Sequence, residues 1–162
     1  MGMTYYRNLI DVASDAKTPA AIPVLVKAIS FDDRVVRSLV RFEEAAVPAL
    51  VDGIRQGASA EDTQASLVSL RRIVDKRAED LSTASRSAMV EVTLQCLKGQ
   101  QQSSVVLRAI DLAQGLRDPR LNARLTAIVE AASAKDADLA LTDPESFARV
   151  QTAAKLALPK ER

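Results

Sequence analysis

Two nine-residue stretches of this chain nearly repeat each other at a separation of 25 residues. The first, at 21–29, reads Ala-Ile-Pro-Val-Leu-Val-Lys-Ala-Ile, and the second, at 46–54, reads Ala-Val-Pro-Ala-Leu-Val-Asp-Gly-Ile. A fixed period of roughly 20 to 50 residues is typical of repeat architectures, in which each unit buries its apolar face by stacking on its neighbours. The repeat therefore predicts a stack of similar units.

Both copies have the periodicity of a helix. Apolar residues recur at i, i+3, i+4 and i+7, which places one apolar stripe toward a core. The stripes consist of Ile22, Leu25, Val26 and Ile29 in the first copy and of Val47, Leu50, Val51 and Ile54 in the second. Long alternating runs of β-branched residues, which are typical of β-strands, are missing. Five Gly and six Pro are also too few for tight turns at every strand end. We therefore expect an all-α protein.

Helix start and stop signals recur along the rest of the chain. Thr18-Pro19, Asp118-Pro119 and Asp143-Pro144 each join an N-cap residue to a proline at the first helical position, and Gly57 and Gly99 are suited to helix ends. Ser59 and Asp62 have the spacing of a capping box. The predicted helices span about 4–14, 19–30, 34–42, 46–56, 59–79, 82–98, 103–116, 119–132 and 144–158.

The segment from Asp33 to Ile54 resembles a HEAT repeat of the short bacterial kind. Asp33, Val36 and Arg37 match the pattern of the first helix, and Ala-Val-Pro-Ala-Leu at 46–50 matches the opening of the second. The run at 21–25 matches that opening again, whereas beyond Gly57 the motif dissolves into longer pairs. The resemblance implies a right-handed α-solenoid of about four to five HEAT-like helical pairs, in a single repeat domain over residues 1–162.

The composition opposes an enzymatic function. The chain has no histidine, which removes the commonest general base, His-dependent triads and His-bearing metal sites, including the iron site of HEAT-like hydroxylases. No glycine-rich phosphate loop occurs. The carboxylate pairs at 32–33, 43–44 and 61–62 lie at predicted helix starts, and Cys96 among apolar residues is interpreted as a buried structural thiol. We expect no catalytic residues, no cofactor and no metal.

The charges are balanced, with 22 Lys and Arg against 21 Asp and Glu. Nucleic-acid binders usually have a net basic surface, so we do not expect a nucleic-acid partner. HEAT-like DNA glycosylases stack aromatic residues around an extruded nucleotide, and this chain has no Trp and places Tyr5 and Tyr6 near its N-terminus. A nucleic-acid-binding HEAT-like protein is therefore only a minor alternative.

Two local groups of arginines are exceptions to this balance. Arg34, Arg37 and Arg41 form a stripe that either binds phosphate or is a solvated face, with Arg37 paired to Asp33 and Arg41 to Glu44. We favour the solvated face. Arg117, Arg120 and Arg124 form a second group, which has no acidic partner four residues away.

An interaction module remains as the main interpretation. The resemblance implies that second helices line a concave groove that binds a protein or peptide. The alternatives are an accessory subunit of an enzyme, as in lyases that attach bilin pigments to phycobiliproteins, and self-association through Tyr5 and Tyr6. We expect a monomer or weak homodimer. The predicted binding residues are Lys27, Asp52, Arg55, Gln56, Glu91, Gln95, Lys98 and Arg124.

No apolar run is long enough to cross a bilayer, and no basic leader precedes an apolar segment. These features predict a protein without a membrane partner, with the cytoplasm as the default compartment. If Met1-Gly2-Met3 is an expression remnant, a removed signal peptide would leave no trace in the sequence.

Overall fold

The computed structural model describes residues 8, 11–13, 15 and 18–159. In this part of the chain the regular structure is helical and no strand occurs, so the expectation of an all-α protein is confirmed. Residues 8 and 11–13 are helical and fall in the predicted helix 4–14, and Asp15, just beyond that helix, is helical as well. Tyr5 and Tyr6 lie outside the described residues. The helices are α1 (Ile22–Lys27), α2 (Asp33–Arg41), α3 (Val47–Arg55), α4 (Ala60–Arg77), α5 (Thr83–Cys96), α6 (Ser103–Leu116), α7 (Pro119–Glu130) and α8 (Pro144–Ala157).

Three of these helices, α4, α7 and α8, begin at a side-chain cap that the sequence predicts, whereas the side chain of Thr18 caps no helix. The carboxylates of Asp118 and Asp143 accept backbone N–H groups in the first turn of α7 and α8. Ser59 Oγ accepts from the N–H of Asp62 at 3.1 Å and donates to its carboxylate at 2.8 Å, so the predicted cap at the start of α4 is present. These caps satisfy N–H groups that have no partner within the helix.

The two copies of the repeated stretch share one local structure, which differs from the prediction. A short 3-10 turn, Pro19–Ala21 or Glu43–Ala46, leads into α1 or α3, and proline lies at the second residue of each helix. The predicted helix 19–30 is therefore a 3-10 turn followed by only six helical residues, because Ala28 leaves helical geometry and ends α1.

The chain divides into two compact units, Met1–Leu81 and Ser82–Arg162. In the first unit α1 packs against α2 and α3, and α4 packs against α2 and α3. In the second unit α5 packs against α6 and α7, and α8 packs against the same two helices. Helices thus contact their second neighbour in sequence as well as their first. The single domain over 1–162 stays a prediction.

The apolar stripes of both copies are buried in the first unit. Leu25 and Leu50 are fully inaccessible, and all but Val26 of the eight stripe residues are buried. A Cβ added to Gly53 would lie 3.3 Å from Val26 Cγ1, closer than ordinary contact. Glycine therefore lets α3 approach α1 closely at this point. In the second unit Leu112, Leu125 and Val150 are likewise fully buried.

Replacement of Leu50 tests the phase of α3. We expect Leu50→Ala to lower the free energy of unfolding by about 2–5 kcal/mol, because it removes a fully buried side chain and leaves a cavity. Ala49, which is partly exposed, provides the control Ala49→Ser, which should lose far less. The measurement is urea unfolding, and equal losses at the two positions would contradict the described core.

Candidate interaction surfaces

The first four predicted binding residues lie on α1 and α3 or directly after them. Lys27 ends α1, Asp52 and Arg55 lie in the last turns of α3, and Gln56 is its C-cap residue. All four are exposed. Lys27 follows Val26 and Asp52 precedes Gly53, and a Cβ added to Gly53 would lie 3.3 Å from Val26 Cγ1, so the four residues lie on or next to two helices that pack together.

None of these four side chains has a hydrogen bond or ion pair with another described residue. Lys27 and Asp52 have opposite charges on neighbouring helices, yet they form no ion pair within the described structure. The surface therefore offers both charges and an amide that form no hydrogen bond or ion pair with the described residues of the first unit. We call these four residues the α1–α3 surface.

The other four predicted residues lie in the second unit. Glu91, Gln95 and Lys98 are exposed on α5 or just after it, and Glu91 lies 3.8 Å from Arg120 of α7. Packing of α5 against α7 brings Arg124 to the same pair of helices. Each unit thus carries four of the eight predicted binding residues.

Arg124 differs from the other seven because its guanidinium is occupied within the unit. Its Nε donates to the backbone carbonyl of Leu97 at 3.0 Å, and its terminal nitrogen donates to the carbonyls of Leu97 and Ala137. Burial lowers the pKa of this group, but an arginine stays protonated. Arg124 therefore ties the end of α5 to the segment that follows α7.

The segment tied by Arg124 was not predicted from the sequence. Gly99 donates its N–H to the carbonyl of Asp138 at 2.8 Å, and Ala140 donates its N–H to the carbonyl of Gly99 at 3.1 Å. Gly99 and Asp138 have φ of 73° and 51°, the left-handed region that glycine adopts without strain. The one sequence signal was that Arg124 has no acidic residue four positions away on its helix.

The two groups of arginines are less basic than the sequence suggests. Arg120 pairs with Asp118 at 3.2 Å and with Glu91, so it is not an unpaired cation. Arg34 pairs with Asp32 at 3.0 Å and with Asp11 at 3.1 Å. The expected ion pairs of Arg37 with Asp33 and of Arg41 with Glu44 do not occur among the described residues.

The shifted pKa values have their causes in helix caps, ion pairs and burial. Hydrogen bonds from Arg34 lower the pKa of Asp32, and those from Ser146 and Glu145 lower that of Asp143. Burial opposes ionisation of Asp118, but the hydrogen bonds from Arg120 outweigh it and lower its pKa. Burial raises the pKa of Cys96 to about 11, so its thiol is protonated at neutral pH.

Within the described ranges, no three Cys, Asp or Glu side chains cluster closely enough to hold a metal ion. Among the same residues, no helix combines the length and the apolar character that crossing a bilayer requires.

No protein-family model matches the chain, and neither a search of curated proteins nor one of solved structures gives a match. The resemblance to HEAT repeats thus depends on residues 21–25 and 33–54 alone.

Removal of the Arg124 guanidinium should destabilise the second unit. Arg124→Met keeps the aliphatic stem but leaves the carbonyls of Leu97 and Ala137 without these donors, so we expect a loss of about 1–3 kcal/mol. Arg149→Met, an exposed change on α8, should alter stability by less than about 0.5 kcal/mol. Urea unfolding measures both, and a neutral Arg124→Met would contradict a structural tie.

The cap of α8 should make stability depend on acidic pH. The folded pKa of Asp143 lies below its ordinary value of 3.8, so its contribution is present above that value and is lost as pH falls through the folded pKa. Asp143→Asn keeps a capping side chain without the charge. We therefore expect the free energy of unfolding of the variant to fall less between about pH 6 and about pH 3 than that of the original chain. An unchanged dependence on pH would exclude this role.

Proposed function

We propose that this chain is a non-catalytic interaction module, an α-solenoid of HEAT-like helical pairs that binds a protein or peptide partner through the second helices of its pairs. In the first unit the binding face is the α1–α3 surface. In the second unit Glu91, Gln95 and Lys98 on the α5 side belong to the corresponding face.

One observation carries this proposal: the α1–α3 surface presents two opposite charges, a further cation and an amide whose side chains form no hydrogen bond or ion pair with other described residues. Exposed polar residues of mixed sign suit a polar protein surface, because complementary charges steer association and determine which partner fits. Contacts between second neighbours in both units support the stacked-pair architecture.

Arg124 has a different part in the proposal. Its guanidinium is held by backbone carbonyls, so it supports the backbone on which Lys98 and Gly99 lie rather than meeting the partner first. Its loss should weaken binding through the shape of this backbone and through stability, whereas changes at the exposed residues should act on binding alone.

A charge-reversal experiment tests the α1–α3 surface. A partner is isolated from the source organism by affinity capture with the full chain, and its affinity is then measured for the double variant Lys27→Glu with Asp52→Lys. We expect stability to stay within about 1 kcal/mol, because exposed charges contribute little, and partner affinity to fall by about tenfold or more.

The matched control is Arg72→Glu with Lys76→Glu, which changes two exposed cations on α4 that have no partner among the described residues. This control should keep the original affinity at the same salt concentration. Equal affinity of both double variants would exclude the α1–α3 surface, and a selective loss in the control would move the site to α4.

A further inference from the structure

A groove of about 470 Å³ lies in the first unit between α2 and the helical residues near the start of the chain. The side chains along it are almost all charged, and they come from two helical segments. The Arg34–Asp11 ion pair, at 3.1 Å, joins the two walls. The described residues that line the groove are Asp11, Asp15, Arg34, Arg37, Ser38 and Arg41.

Arg37 and Arg41 are the cations of this groove that form no ion pair or hydrogen bond with an acidic side chain among the described residues. Both are exposed, and they lie one helical turn apart on α2, with Cβ atoms about 6 Å from each other. Arg34, in contrast, is neutralised by Asp32 and Asp11. The groove therefore offers two fork-shaped donors at the spacing of i and i+4 on a helix.

The carboxylates of the groove limit what the two arginines can bind. Asp15 is exposed without a described partner, and Asp11 is only partly neutralised because its ion pair is half exposed. A continuous row of phosphates would be repelled by these negative charges, whereas two separate carboxylates at i and i+4 on a helix have the same spacing as the two arginines. A cation elsewhere on the same ligand could form an ion pair with the carboxylate of Asp15.

We propose that this groove binds an acidic helical segment of another protein, with carboxylates at i and i+4 received by Arg37 and Arg41. The proposal concerns α2, whereas the α1–α3 surface lies on other helices, so either one can hold without the other. The charges of the groove fit an acidic helix better than they fit nucleic acid.

The probe is a fluorescent, acetylated and amidated helical peptide with Glu at i and i+4 and one Lys in a background of Ala and Gln. We expect saturable binding at low salt that weakens as salt rises. Arg37→Glu with Arg41→Glu should weaken binding by about tenfold or more, and should favour a matched peptide in which Lys replaces Glu. The control is again Arg72→Glu with Lys76→Glu, two exposed positions at the same spacing on α4, which should leave binding unchanged.

A second variant, Arg37→Gln with Arg41→Gln, removes the charges without reversing them and should also lose most of the binding. Circular dichroism and urea unfolding establish that the variants compared are folded. Absence of binding by the original chain, or equal losses in the α2 and α4 variants, would overturn the proposal. Tighter binding to a DNA duplex than to the acidic peptide, or self-association that the α2 variants abolish, would assign the groove to another occupant and overturn it as well.

Discussion

The first unit depends on the close approach of α1 and α3. Both helices carry a fully buried leucine, Leu25 and Leu50, and each such side chain contributes about 1.5–3 kcal/mol by its removal from water. The two helices pack against each other, and the absence of a side chain at Gly53 leaves the room that Val26 occupies. The same approach sets the positions of Lys27 and Asp52, one residue away from the contact, so the polar surface follows from the apolar one.

In the second unit, side-chain hydrogen bonds hold neighbouring helices together. Gln151 of α8 donates its side-chain amide to carbonyls at the end of α7, among them that of Ala131 at 2.9 Å. Arg86 of α5 donates to the carbonyl of Leu116 at the end of α6. These side chains satisfy the carbonyls that a helix leaves without partners at its C-terminus, and they fix helix ends against neighbouring helices.

The sequence predicts the features that depend on near neighbours along the chain. The starts of α7 and α8 follow from Asp118-Pro119 and Asp143-Pro144, and the exposed position of Lys27 follows from the 3.6-residue period. Arg124 binds the carbonyl of Leu97, which is 27 positions away in sequence, and that of Ala137, which is 13 positions away. No local sequence pattern spans these separations. The short length of α1 was also missed, because the apolar stripe continues to Ile29 although the helix ends at Lys27.

The burial of Cys96 allows local opening of the second unit to be measured by thiol labelling. Its side chain is the only thiol of the chain and is 1% exposed, and its high pKa leaves little thiolate at neutral pH. A thiol reagent can react with it only when the end of α5 separates from its neighbours. The rate of labelling therefore reports how often this part of the molecule opens, and no cysteine has to be introduced for the measurement. Ligands that hold α5 in place would slow that reaction, and ligands confined to the first unit would leave it unchanged unless the two units are energetically coupled.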